Sequence, residues 1–128
     1  AETPSIGNIV LHLCGNVRQW IVSGLGGAPD VRRRSDEFTE RGPIPKTVLI
    51  NRLNETLSAA DATLKSLDGP ALARTYRIQG NEETGVAAVI HVVEHFSYHT
   101  GQIVFFLKSR HGIDLGFYAG QDLTKLNG

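Results

Sequence analysis

Apolar positions along the chain fall into three long stretches at helical spacing. In the first, Ile6, Ile9, Val10, Leu13, Val17 and Ile21 recur every three or four residues, which predicts an amphipathic helix over residues 5–23 with these side chains as its core stripe. Thr3 is its expected N-cap, with Pro4 at the first helical position, where a missing N–H costs nothing. Gly24, Gly26 and Gly27 are expected to end it. In the second stretch Val48, Leu49, Leu53, Leu57, Ala60 and Leu64 predict a helix over residues 46–67, closed by Asp68-Gly69-Pro70. In the third, Val86, Val89, Ile90, Val93, Phe96, Ile103, Val104 and Leu107 predict a helix over residues 84–110. Arg110 and His111 suit the negative end of its dipole, and Gly112 supplies the stop.

The segments between are polar or broken. Residues 28–45 carry Arg32, Arg33 and Arg34, then Asp36, Glu37, Glu40 and Arg41, then Gly42-Pro43-Ile44-Pro45. This reads as a long loop with one helical turn near residues 35–40, and loops of such length inside a domain are usually functional or mobile. Residues 73–79 alternate and read as extended, with a turn at Gly80-Asn81. The tail, residues 113–128, reads as irregular. The pattern predicts one all-α domain over residues 1–128, of four-helix-bundle type, with three of the helices in view.

Composition narrows the function. The chain has 128 residues, 41% apolar and 20% charged, which is globular. Lysines and arginines balance aspartates and glutamates at 13 each, so no global field favours nucleic acid or membrane lipid. No apolar run approaches the roughly 20 residues needed to span a bilayer. A single cysteine, Cys14, excludes an internal disulfide and a cysteine-built zinc site. A lone thiol and the lack of a visible signal peptide point to a cytoplasmic protein. Cys14 lies roughly 200° around the helix from His12 and reads as a small buried hydrophobe.

Three of the five histidines, His91, His95 and His99, follow one another at four-residue intervals. Each step advances only about 40° around the axis, so all three share one face, with Gln102 between them in angle. Two histidines at i and i+4 can clasp one metal ion from a single helix. Glu94 precedes His95 and Phe96 follows it, so the zincin protease pattern fails. A third ligand is expected from a facing helix. His12 is a candidate, with Asn16 one turn later, although spacing alone does not select it. Trp20 packs or walls a pocket. Arg32–Arg34 form a solvated loop face or attract an anion. Asp36 or Glu37 is a potential base.

The segments SIGNIVLHLCGNVRQWIVSGLGG (residues 5–27) and HVVEHFSYHTGQIVFFLK (residues 91–108) resemble the DinB/YfiT-like superfamily of metal-binding proteins, in a branch of unassigned function. The resemblance implies a further bundle helix ahead of residue 5, absent from this chain. It implies one divalent ion, zinc or nickel, held by a histidine of the second bundle helix and two histidines four apart on a later one. The second of that pair opens an H-x-G-Q motif, here His99-Thr100-Gly101-Gln102, so the implied ligands are His12, His95 and His99. His91, Gln102 and Asn16 are candidates to orient a ligand or meet a substrate. The resemblance also implies a metal-dependent thiol S-transferase using a low-molecular-weight thiol and a small-molecule substrate. A metal-dependent hydrolase, or a non-enzymatic metal-binding bundle that dimerises, is the alternative.

Overall fold

In the computed structural model, which describes residues 3–125, the first helix, α1 (Ile6–Val17), is capped by Ser5 rather than by Thr3. The Ser5 hydroxyl accepts from the Asn8 amide at 3.1 Å, and Asn8 Oδ1 accepts from the Ser5 amide at 3.0 Å. This reciprocal box satisfies two N–H groups that Thr3 is too far upstream to reach. α1 does not stop at Gly24. It widens into a π-helical segment, Arg18–Leu25, closed by the Gly26 amide donating to the Ile21 carbonyl at 2.9 Å. Gly24 serves packing instead: a Cβ there would lie 2.6 Å from Cδ1 of Ile78, a residue only 3% exposed.

The expected turn in the polar stretch is α2 (Arg34–Thr39), and the second long helix is α3 (Lys46–Ser66). Asp68 does not merely end α3. Its side chain accepts from the Ala71 amide at 2.8 Å and caps a short α4 (Gly69–Ala73), with Pro70 in the first turn. β1 (Thr75–Ile78) and β2 (Asn81–Thr84) form an antiparallel hairpin. Its turn is Gln79-Gly80, one residue earlier than expected, with φ of 54° and 84°. Positive φ at both central residues matches the twist of the flanking strands. The Thr84 side chain then caps α5 (Gly85–His111), which ends at Gly112 in the left-handed region. The chain is therefore mostly helical, with one small sheet where the extended segment is expected. Residues 113–125 have no regular element beyond turns, and the last three residues of the expected irregular tail, 126–128, lie outside the described residues. No helix among the described residues is long and apolar enough to cross a membrane.

α1 is the central element. α2, α3 and α5 all pack on it, so its buried residues run around most of its circumference and include Asn8, Leu11, His12, Cys14 and Asn16. The single stripe expected for it is too narrow, and Ile6, Ile9 and Val10 are only half-buried. Small side chains make the closest helix contacts: Thr56 and Ala60 are the buried residues of α3, and Gly85, Ala88 and Val92 those of α5. Many larger residues of the expected stripes are exposed, including Val48, Leu57, Leu64, Val86, Ile90 and Val93. Leu57, Leu64 and Val93 line an apolar groove of about 420 Å³ between α3 and α5, which also takes in Val17 and Ile21 of the first helix. Below the groove, Val17, Trp20, Ile21, Leu25, Ala60, Ile78, Ala88 and Val92 form the core cluster.

Because Ile78 is fully enclosed, Gly24→Ala should cost about 1–3 kcal/mol through overpacking. Gly69→Ala, where an added Cβ meets nothing within 4 Å, is the control. Urea denaturation of both variants against the parent checks this, and equal midpoints for the two would remove the packing role of Gly24.

Candidate metal centre

Two helices bring the three histidines together. His12 projects from the buried middle of α1, and His95 and His99 project one turn apart from α5. One ligand atom of each lies within 4.8 Å of those of the other two, an arrangement that can hold a metal ion. His12 Nε2 and His95 Nε2 are 3.0 Å apart. Ligand nitrogens at the usual zinc bond length in a tetrahedral site are about 3.4 Å from one another. The closest pair and the outer limit of the cluster bracket that separation, so the donor set fits a small divalent ion.

Neighbouring groups orient two of the rings. The Nδ1–H of His12 donates to Glu37 Oε2 at 2.8 Å, which turns the Nε2 lone pair toward the other histidines. Arg32 holds Glu37 from the far side, donating from Nε to Oε1 at 2.7 Å and from Nη2 to Oε2 at 2.9 Å. Arg32 Nη1 is itself placed by Gln19 Oε1 at 2.9 Å. Asn8 fastens α2 over α1 by donating to the carbonyls of Glu37 and Glu40 at 2.8 and 3.0 Å. Gly15 makes room for this pair, because a Cβ would collide with the Glu37 carboxylate and lie 2.9 Å from Arg32 Nε. On α5, His99 Nδ1–H donates to Gln102 Oε1 at 2.7 Å, and Gln102 Nε2 donates to the Tyr98 hydroxyl at 3.1 Å. His95 Nδ1 is buried without a hydrogen-bond partner among the described residues.

The surroundings favour the neutral form of His12 and His95. Burial pushes the His12 pKa below its ordinary value. The hydrogen bond and charge of Glu37 oppose this, and Arg32 and His99 add to it. His95 is pushed down to about 4, first by burial and then by His12, His99, His91 and Arg32. A neutral imidazole is the form that binds metal.

The remaining candidates fall in different places. Gln102 sits on His99. His91 turns away and stacks on Trp20 with ring centroids 3.9 Å apart. Asn16 Nδ2 lies 3.5 Å from His91 Nε2, and Asn16 Oδ1 is buried without a partner among the described residues. Trp20 is buried in the core and donates to Gln79 Oε1 at 3.1 Å. Cys14 is buried, as its helical angle suggests. Of the polar stretch, Asp36 is exposed, while both oxygens of Glu37 are engaged, so Glu37 orients His12 rather than acting as a base. Arg32 is drawn into the interior, not left on a solvated face, and Arg34 lies over the Phe38 ring at 5.2 Å. The Glu37–His12 link, the Arg32 clamp and the need for Gly15 are not visible in the sequence. The first and last join residues 17 to 25 positions apart, and the clamp lies five residues apart within a loop with no periodic signal.

Fold and site together define a mostly helical protein with a three-histidine cluster suited to a metal ion. Residues 1–116 match a family described as a protein of unknown function, DUF1572, and the chain belongs to that family. No curated protein and no solved structure matches it.

Two outcomes follow from this geometry. Glu37→Gln should weaken metal affinity by about 10–100-fold, read by competition with a chromophoric chelator, and an unchanged affinity would show that Glu37 does not support the site. His95 takes up a proton near 6.5 in the unfolded chain but only near 4 in the fold. The unfolded state therefore binds more protons between these values, and stability falls as pH drops from 6.5 toward 4. Thermal melts of chelator-treated protein across that window should show the slope, and His95→Gln should flatten it.

Proposed function

We propose that this protein is a divalent-metal-dependent enzyme of thiol S-transferase type, in which His12, His95 and His99 hold one zinc or nickel ion. The observation that carries the reading is the convergence of three ring nitrogens from two helices, two of the rings fixed by Glu37 and Gln102. Three protein ligands with a coordination position left over is the common arrangement of catalytic sites, whereas structural sites usually supply four. A divalent ion with neutral ligands keeps its positive charge and supplies Lewis acidity toward a thiol or water. The protein's own contribution is orientation. Glu37 and Arg32 fix His12, Gln102 and Tyr98 fix His99, and Phe38 walls the site with its ring centroid 4.9 Å from that of His12.

The DinB/YfiT-like resemblance supports the same reading and supplies the co-substrate class, a low-molecular-weight thiol acting on a small electrophile. In the bundle that this resemblance implies, α1, α3 and α5 take three positions, and the apolar groove beside Val17 and Ile21 takes the fourth.

Elemental analysis of tag-free protein after dialysis against metal-free buffer tests the ligand set. The parent should retain about one zinc or nickel per chain, and His99→Ala should retain almost none. His91→Ala should keep most of it, and complete loss there would mean a different histidine pair binds. Metal-loaded parent should then consume a thiol in the presence of electrophiles such as epoxides or maleyl compounds. Stoichiometric metal with no thiol consumption would leave the ion a structural role.

A further inference from the structure

We propose that a second site, for a small oxyanion, lies on the side of α1 away from the histidines, where Arg18 and Arg52 flank Cys14 and Thr56. A cavity of about 590 Å³ opens there between α1, α3 and the loop leading into α2, and all four of these residues line it. α1 and α3 run in the same direction past each other: Gly7 meets Leu49 near one end, and Gly26 meets Thr63 near the other. Cys14 and Thr56 face each other across this contact. Arg18 lies one turn after Cys14, and Arg52 lies one turn before Thr56, so the two guanidinium groups approach from opposite ends.

Two observations point to a ligand. The Thr56 side chain is 1% exposed, yet among the described residues its hydroxyl meets only the facing Cys14 thiol, a weak partner, and buried hydroxyls are rarely left so poorly matched. Neither Arg18 nor Arg52 has a hydrogen bond or ion pair among the described residues, although guanidinium forks are well matched to carboxylate and phosphate. Burial pushes the Cys14 thiol above its ordinary value, so it stays uncharged beside an anion. Most carboxylates around the cavity are engaged elsewhere: Asp30 by Gln19 and the Arg32 amide, Glu40 by the Gly42 amide, and Glu37 by Arg32 and His12. Among the described residues Glu55 has no such partner and Asp36 has only the Ser35 hydroxyl at 3.4 Å, and both oppose an anion.

Isothermal titration of metal-loaded and of chelator-treated protein with inorganic phosphate, and in parallel with malonate, tests the site. Saturable binding of either anion is expected in both protein forms, and the tighter of the two identifies the oxyanion. Arg18→Gln and Arg52→Gln, both exposed positions, should each weaken binding by about tenfold. Glu55→Gln should tighten it, and His99→Ala should leave it unchanged. No saturable binding up to about 10 mM, binding that vanishes with the metal, or equal affinity in the arginine variants would overturn the proposal. None of these outcomes bears on whether the histidines hold metal.

Discussion

The hydrogen bond between Glu37 and His12 is the contact on which the rest of the site depends. A carboxylate buried to 8% exposure is costly unless it is paired, and Arg32 supplies the pairing through two short contacts. With that charge balanced, the outer oxygen is free to accept from the imidazole and fix its tautomer. The cost of burying the pair is offset by what it organises. It ties the polar crossover of residues 28–45 to the central helix and turns that helix's histidine toward α5. Gly15 is part of the same device, because the pair lies against bare backbone where any side chain would stand.

The central position of α1 explains the distribution of burial. A helix covered on several sides cannot be half polar, so its polar residues are functional or internally matched. Asn8 braces α2, Asn16 approaches His91, and His12 enters the metal cluster. Its neighbours pack through small residues, Thr56 and Ala60 of α3 and Ala88 of α5, which let backbones approach. Their larger apolar side chains are left along the groove between α3 and α5. Phe105 and Phe106 further along α5 are exposed as well.

Local signals in the sequence were readable where local physics decides the outcome. The bounds of α3 and α5 and the stop at Gly112 follow from spacing and turn chemistry within a few residues. The i, i+4 pair of His95 and His99 is legible for the same reason. Competition among local signals is harder to read. Thr3-Pro4 and Ser5-Asn8 are both plausible starts for α1, and the reciprocal bonds of the second decide between them. Gly24 looks like a stop but is a contact point for Ile78. Which apolar positions are covered depends on where other helices lie: Ala60, Val89 and Phe96 of the expected stripes reach the core, whereas Leu57, Leu64 and Val93 are exposed along the groove. Glu37 was one acid among several in a loop, and only the folded chain distinguishes it from Asp36.

The 3.0 Å approach of His12 Nε2 to His95 Nε2 sets how an ion would be admitted. With the His12 hydrogen committed to Glu37, the proton between the two rings belongs to His95 Nε2, which leaves its buried Nδ1 as the unmatched lone pair. Admitting an ion then requires His95 to carry its hydrogen on the other nitrogen. While His95 is uncharged, this ring exchanges one tautomer for the other instead of expelling a proton.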